Sequence, residues 1–278
     1  MSDLLDIYLD DSTSLPIDVE VFVWHQPFRP ENVGKPIERG GLSSSARDGA
    51  IAWGQKFTMR YADGREEERY GGAELDIYPL LLSNPFTIVT ASDGRRVYVP
   101  QAMYVKRDEV PPEYRVRTAR ALLFVVADDE QARLCAVTFK SFNSDHISRA
   151  YGDFCRAVLG ISRKQYGKAV SPAMVRAVLR VGKVEAVGQA GKSSMIAQPQ
   201  LALPNNALVL APPDKAEIVR EYLDQREMLA RYPFFLERTR PITAPTLPWL
   251  APPDAQHRAL PTASPSPIEG EVWSGDDF

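Results

Sequence analysis

Two Asp-Gly pairs, Asp63-Gly64 and Asp93-Gly94, restrict this chain more than any other local feature. Each lies between short segments rich in β-branched and aromatic residues. Glycine adopts positive φ at little cost, so each pair reads as the turn of a β-hairpin. The first hairpin spans "IAWGQKFTMRYADGREEERY" (51–70) and the second "FTIVTASDGRRVYVP" (86–100). A third, "RALLFVVADDEQARLCAVTF" (120–139), has unbroken apolar runs that suit central strands. In "PIDVEVFVW" (16–24), Val19, Val21 and Val23 alternate with Glu20, Phe22 and Trp24, the two-residue period of a half-buried strand. "GGLSSSARDG" (40–49) has the composition of a loop. The first half is therefore β-rich and antiparallel.

The second half changes period. Ser144 is placed to cap a helix through "DHISRAYGDFCRAVLG", with Gly160 as its stop. Ile147, Tyr151, Phe154 and Leu159 follow one side of it. Ser171-Pro172 reads as the start of a helix over "AMVRAVLRVG". Residues 184–210 read as two further strands around "LPNN" (203–206), and 213–232 as a helix with Asp214 near its positive end. The fold class is α+β: an antiparallel β-rich N-terminal half, then helices. Several short strands and a helix allow an OB-like barrel or an open sheet covered by helices.

From Pro241 the chain holds eight prolines in 38 residues, a composition that builds neither helix nor sheet ladders. The organisation expected is an acidic arm over 1–14, an α+β nucleic-acid-binding domain over 15–240, and a disordered linker with an acidic tip over 241–278. The 44% hydrophobic content is enough to fill a core. No apolar run approaches the roughly 20 residues that span a bilayer. The acidic N-terminus lacks the basic start of a signal peptide. Cys135 and Cys155 are the only cysteines and form no CxxC pair, as in a reducing compartment. These features place the protein in the cytoplasm, away from membranes.

The net charge of −3 hides a segregation. The segment from Pro241 carries five acids against one arginine, which leaves the body slightly basic. Residues 139–183 hold nine Lys or Arg and two acids, interleaved with Phe139, Phe142, Tyr151, Phe154 and Tyr166. The densest fragment, "SRKQYGK" (162–168), sets Arg163, Lys164 and Lys168 around Tyr166 in a loop. Arg95, Arg96, Tyr98, Lys106 and Arg107 form a second group on or near the second hairpin, and Lys140 follows the third. Phosphates need dispersed cations and unpaired bases need flat rings, so this mixture points to single-stranded nucleic acid. A solvated helix face accounts for any single member, with Arg149 and Arg156 on the wet side of their helix. The cluster as a whole points to binding.

Catalytic patterns are missing. His25, His146 and His257 share no metal-ligand spacing, and two cysteines do not complete a zinc site. "VGQAGKSS" (187–194) fails the phosphate-loop spacing because Ala186 stands where glycine is required. Glu66, Glu67 and Glu68 sit in a hairpin arm as solvated acids. No GxSxG elbow occurs. The reading is a non-enzymatic protein with no cofactor and no metal.

The last ten residues, "EGEVWSGDDF", place two aromatic rings among acids at the end of the proline-rich segment. Asp276, Asp277 and Phe278, with Glu269, Glu271 and Trp273 upstream, resemble the acidic tip of bacterial single-stranded DNA-binding proteins and of T7-type phage single-stranded DNA-binding proteins. The resemblance covers about ten residues and lacks the proline that precedes the final Phe in the bacterial tips. It implies that Trp273, Asp276, Asp277 and Phe278 bind replication or recombination proteins. There the ring would fill an apolar pocket and the carboxylates would meet cations. The function expected is single-stranded DNA binding in a bacterium, phage or mobile element. The alternative is a non-enzymatic structural or adaptor protein of a phage or mobile element that binds protein partners.

Overall fold

The computed structural model describes residues 19–61, 64–90, 96–100, 112, 114–188 and 194–229, with 96–100, 227 and 228 followed through their backbone alone. The strands are β1 (Glu20–His25), β2 (Gly41–Ser45), β3 (Gln55–Arg60), β4 (Glu66–Gly72), β5 (Glu74–Leu82), β6 (Phe86–Thr90), β7 (Arg96–Pro100), β8 (Arg115–Val126), β9 (Leu134–Lys140), β10 (Ala177–Val187) and β11 (Ser194–Ala202). The helices are α1 (Phe142–Tyr166), α2 (Pro213–Asp224) and the short α3 (Arg226–Leu229). Each of the three expected hairpins is present, as β3–β4, β6–β7 and β8–β9.

The strand order is β11-β10-β5-β8-β9-β1-β2-β4-β3, with β6 on β8 and β7 on β6. Pairing among the described strands is antiparallel except between β1 and β9, which run parallel. Only Ala73 separates β4 from β5, although β8, β9, β1 and β2 stand between them in the ladder. The sheet must therefore curl back on itself. Its order still ends at β11 and β3, so the described strands form no closed barrel.

β8 is the spine. Its first half pairs with β6, its second half with β5, and its other edge with β9. Leu122, Phe124 and Val126 point to one face, and Leu123 and Val125 to the other, all buried. An apolar run buried on both sides is what a central strand requires. The first face packs Phe22, Val137 and Phe139 against Ile147, Phe154 and Val158 of α1. The second packs Tyr78, Ile88 and Leu134 against Val219 of α2 and Leu229 of α3. Each such side chain contributes about 1.5–3 kcal/mol on burial. Pro100 ends β7, and the two prolines in strand interiors both sit at bulges. The register slips between Pro79 and Leu81 of β5, and opposite Pro199 of β11 where Gly182 is the extra residue. A bulge tolerates a residue without an N–H.

Five expectations are corrected. The strands expected on both sides of residues 203–206 are β10 and β11, which both precede them; the 3-10 turn Pro204–Asn206 follows, and Leu210 makes an isolated bridge to Val175. Residues 41–45 form β2 rather than a loop, because Leu42 and Ser44 lie against the core and Gly41 fits beside the Gly72 carbonyl, where a Cβ would stand 2.3 Å from the oxygen. The segment after Pro172 is not helical. One 3-10 turn, Pro172–Met174, leads into β10, in which Ala177 and Leu179 are fully buried on alternate positions. The helix begins at Phe142, so Ser144 is buried inside it and is not its cap. Gly160 does not stop it either. The helix runs on to Tyr166 and ends at Gly167 in the left-handed conformation. The mid-helix glycine costs about 1 kcal/mol relative to Ala. Buried Val158 and Ser162 on either side outweigh it, and Ser162 also accepts the Val170 N–H at 3.2 Å. No helix among the described residues is long and apolar enough to cross a membrane.

Candidate nucleic-acid interface

α1 buries Asn143, Ser144, Ile147, Phe154, Val158 and Ser162, which fixes the side it turns to solvent. On that side Phe142, Arg149, Arg156 and Arg163 recur every seven residues, and all are exposed. Two helical turns separate successive members, a rise of about 10.5 Å with a drift of about 20°. Arg156 is paired with Asp153 and lies over Gly152, so this rung is partly neutralised. No ion pair among the described residues engages Arg149, Arg163, Lys164 or Lys168. The row ends in Arg163, Lys164, the half-open ring of Tyr166 and, past Gly167, Lys168. These side chains sit on the last helical turn and its cap rather than in the loop the composition suggested. Arg163 and Lys164 also face the negative end of the helix dipole, which alone favours cations there.

The remaining expected residues fall elsewhere. Lys140 closes β9 in register with Ala119, two residues before α1 begins. A helix of 25 residues is about 36 Å long, so Lys140 and Lys168 lie at opposite ends of it. On β7, Tyr98 shares a row with Ile88 and Arg117, and Arg96 shares one with Thr90 and Arg115. The exposed Arg115 and Arg117 were missed in the sequence, although "YRVRTAR" (114–120) carries the signal of cations at alternate positions. Arg95, Lys106, Arg107, Trp273, Asp276, Asp277 and Phe278 lie outside the described residues.

A largely buried polar chain crosses the face of β1, β2 and β4 opposite Phe22 and Leu42. Tyr61 donates to Glu67 at 2.7 Å, and Arg69 donates to Glu67 at 2.9 Å and to Ser43 Oγ at 2.8 Å. Ser43 Oγ lies 2.7 Å from Nε2 of His25. Burial, with the charges of Arg69 and Lys35, holds the His25 pKa down to about 4, so its imidazole is neutral near pH 7. Ser43 is fully buried and its oxygen is occupied by Arg69, so the pair does not present a nucleophile.

A cleft of about 690 Å³ opens between the Trp53 segment, β5, β10 and the loop after β11. Glu74, Asp76 and Asp128 line it with Arg176 and Arg180. Arg176 is paired with Asp76, and Arg180 donates to Gln200 at 3.1 Å. Its excess of carboxylates repels phosphate, and it contains none of the expected binding residues. No group of acids, histidines and cysteines able to hold a metal occurs among the described residues. No protein-family model matches the chain, and no curated protein or solved structure matches it either.

Proposed function

We propose that the protein binds single-stranded DNA in the cytoplasm of a bacterium, phage or mobile element, without catalysis. The exposed row Arg149, Arg156, Arg163, Lys164, continued by Tyr166 and Lys168, carries this reading. Its arginines, about 10.5 Å apart, match about every third phosphate of a stacked strand, and Tyr166 offers a ring on which a base can stack. Arg115 and Arg117 share the face of Ile88, opposite the one α1 covers, so they form a separate basic group and no part of this row. In this reading the acidic tip recruits replication or recombination proteins through Trp273, Asp276, Asp277 and Phe278.

The test is fluorescence anisotropy with labelled dT oligonucleotide and a matched duplex, using the full chain and a chain ending at Arg240. Four cations each neutralising one phosphate give a salt slope of about −3, so binding should fall about fiftyfold between 50 and 200 mM salt. Single-strand preference with that slope supports the reading. Absence of binding at low salt would leave the helix row as a solvated face and move the adaptor role ahead.

A further inference from the structure

Phe142 and Tyr166 are the exposed aromatic residues of α1, one at each end. Phe154 is buried in the core and Tyr151 is partly buried against it, whereas Phe142 is 52% exposed. Its ring stacks on His146 with centroids 6.2 Å apart and planes 26° from parallel. The imidazole supports one face of the ring, and half of the Phe142 surface remains open. The backbone that aims it is strained. Ser141 holds φ 53° and ψ −128°, a region costing about 1–3 kcal/mol for a residue with a side chain. That conformation is held by the Ser141 N–H, which donates to Thr118 of β8 at 2.6 Å. The same bond ties the start of α1 to β8, with Phe142 two residues after Lys140 and two helical turns before Arg149.

We infer that Phe142, backed by His146, is a second stacking platform for an unpaired nucleobase, at the end of α1 opposite Tyr166. The inference rests on the nucleic-acid reading and deepens it by giving the strand a path. Rings stand at the two ends of the helix, about 36 Å apart, and Arg149, Arg156 and Arg163 stand between them. A strand advances at least about 3.4 Å per nucleotide when stacked, so about eleven nucleotides or fewer bridge the rings. Stacking on an aromatic ring is sequence-tolerant, because every base has a π-face.

The experiment measures full-length wild type, Phe142→Ala, Phe142→Trp and Arg163→Glu/Lys164→Glu against dT oligonucleotides of about 4 to 20 nucleotides, spanning the length that P-to-P spacing sets. Phe142 is exposed, so its replacement should leave thermal stability within about 0.5 kcal/mol of wild type. Wild-type affinity should climb with length and level off near eleven nucleotides. Phe142→Ala should lose at least about fivefold in affinity for the longer oligonucleotides and flatten the climb, and Phe142→Trp should restore both. If Phe142→Ala matches wild type at every length while the charge reversal weakens binding, the platform is refuted and the binding reading survives. If wild type binds no oligonucleotide, both fall together.

Discussion

Stability should fall steeply on mild acidification, and His25 should be the cause. In the folded protein its pKa is lowered from 6.5 to about 4, by burial first and then by Arg69 and Lys35. In the unfolded chain it titrates near 6.5. Above pH 6.5 the imidazole is neutral in both states, and the contribution is fully present. Between pH 6.5 and about 4 the unfolded chain binds a proton that the folded protein excludes, so stability declines as pH falls. Below about 4 both states are protonated and the decline stops. At about 1.4 kcal/mol per pH unit the whole change is about 3 kcal/mol, most of it lost by pH 4.5. The window above pH 4.5 separates this from the carboxylates. Burial works against the charged forms of Glu67 and Asp129. Hydrogen bonds from Tyr61 and Arg69 to Glu67, and from Arg133 to Asp129, outweigh it and lower both pKa values, so their losses come at lower pH. His146 is also lowered, by burial and Arg149, which makes His146→Gln the necessary control. The assay is urea unfolding of wild type, His25→Gln and His146→Gln at several values between pH 7.5 and 4.5, with the m-value checked for constancy. His25→Gln should flatten the dependence and His146→Gln should largely keep it. A wild-type slope in His25→Gln, or an NMR titration of His25 near pH 6.5, would refute the reasoning.

Three further outcomes follow from the same structure. Arg163→Glu with Lys164→Glu should weaken dT binding at least tenfold at low salt and reduce the magnitude of the salt slope by about 1.4, read by anisotropy across a salt series. Ser141→Gly should stabilise the fold by about 1 kcal/mol in thermal or urea melts, since relief of the positive-φ strain exceeds the entropy glycine adds to the unfolded chain. Phe124→Ala, at a fully buried site on the spine strand, should cost about 3–5 kcal/mol in the same melts.

How much was legible depends on the range of the interactions involved. The Asp-Gly hairpins, the apolar runs of β8 and β9 and the alternation in β1 are local patterns, and each formed the expected strand. Even so, in β1 it is Phe22 that meets the core, while Val21 and Val23 stay exposed on the other face. Alternation shows that the two faces differ, and only packing decides which one is covered. β2 was hidden because its serines look like loop chemistry. Their hydroxyls are satisfied by Trp53 and Arg69, 9 and 26 residues away. The first half of β10 follows a helix-start signal in Ser171-Pro172, although the two-residue spacing of Val175, Ala177 and Leu179 already fits a strand.

The cations of 139–183 were visible as composition, but their arrangement was not. The seven-residue recurrence of Arg149, Arg156 and Arg163 becomes a single exposed row only because α1 runs unbroken through Gly160. That continuity comes from burial of Val158 and Ser162 against a sheet built from distant residues. The alternating arginines of 114–120 likewise gain meaning only when β6 sets them in register with Arg96 and Tyr98. By itself the sequence determined turns, strand periods and where charge accumulates, because those depend on neighbours within a few residues. Tertiary structure decided which faces are covered, how far α1 extends and which cations share a surface, because burial depends on partners far away in the chain.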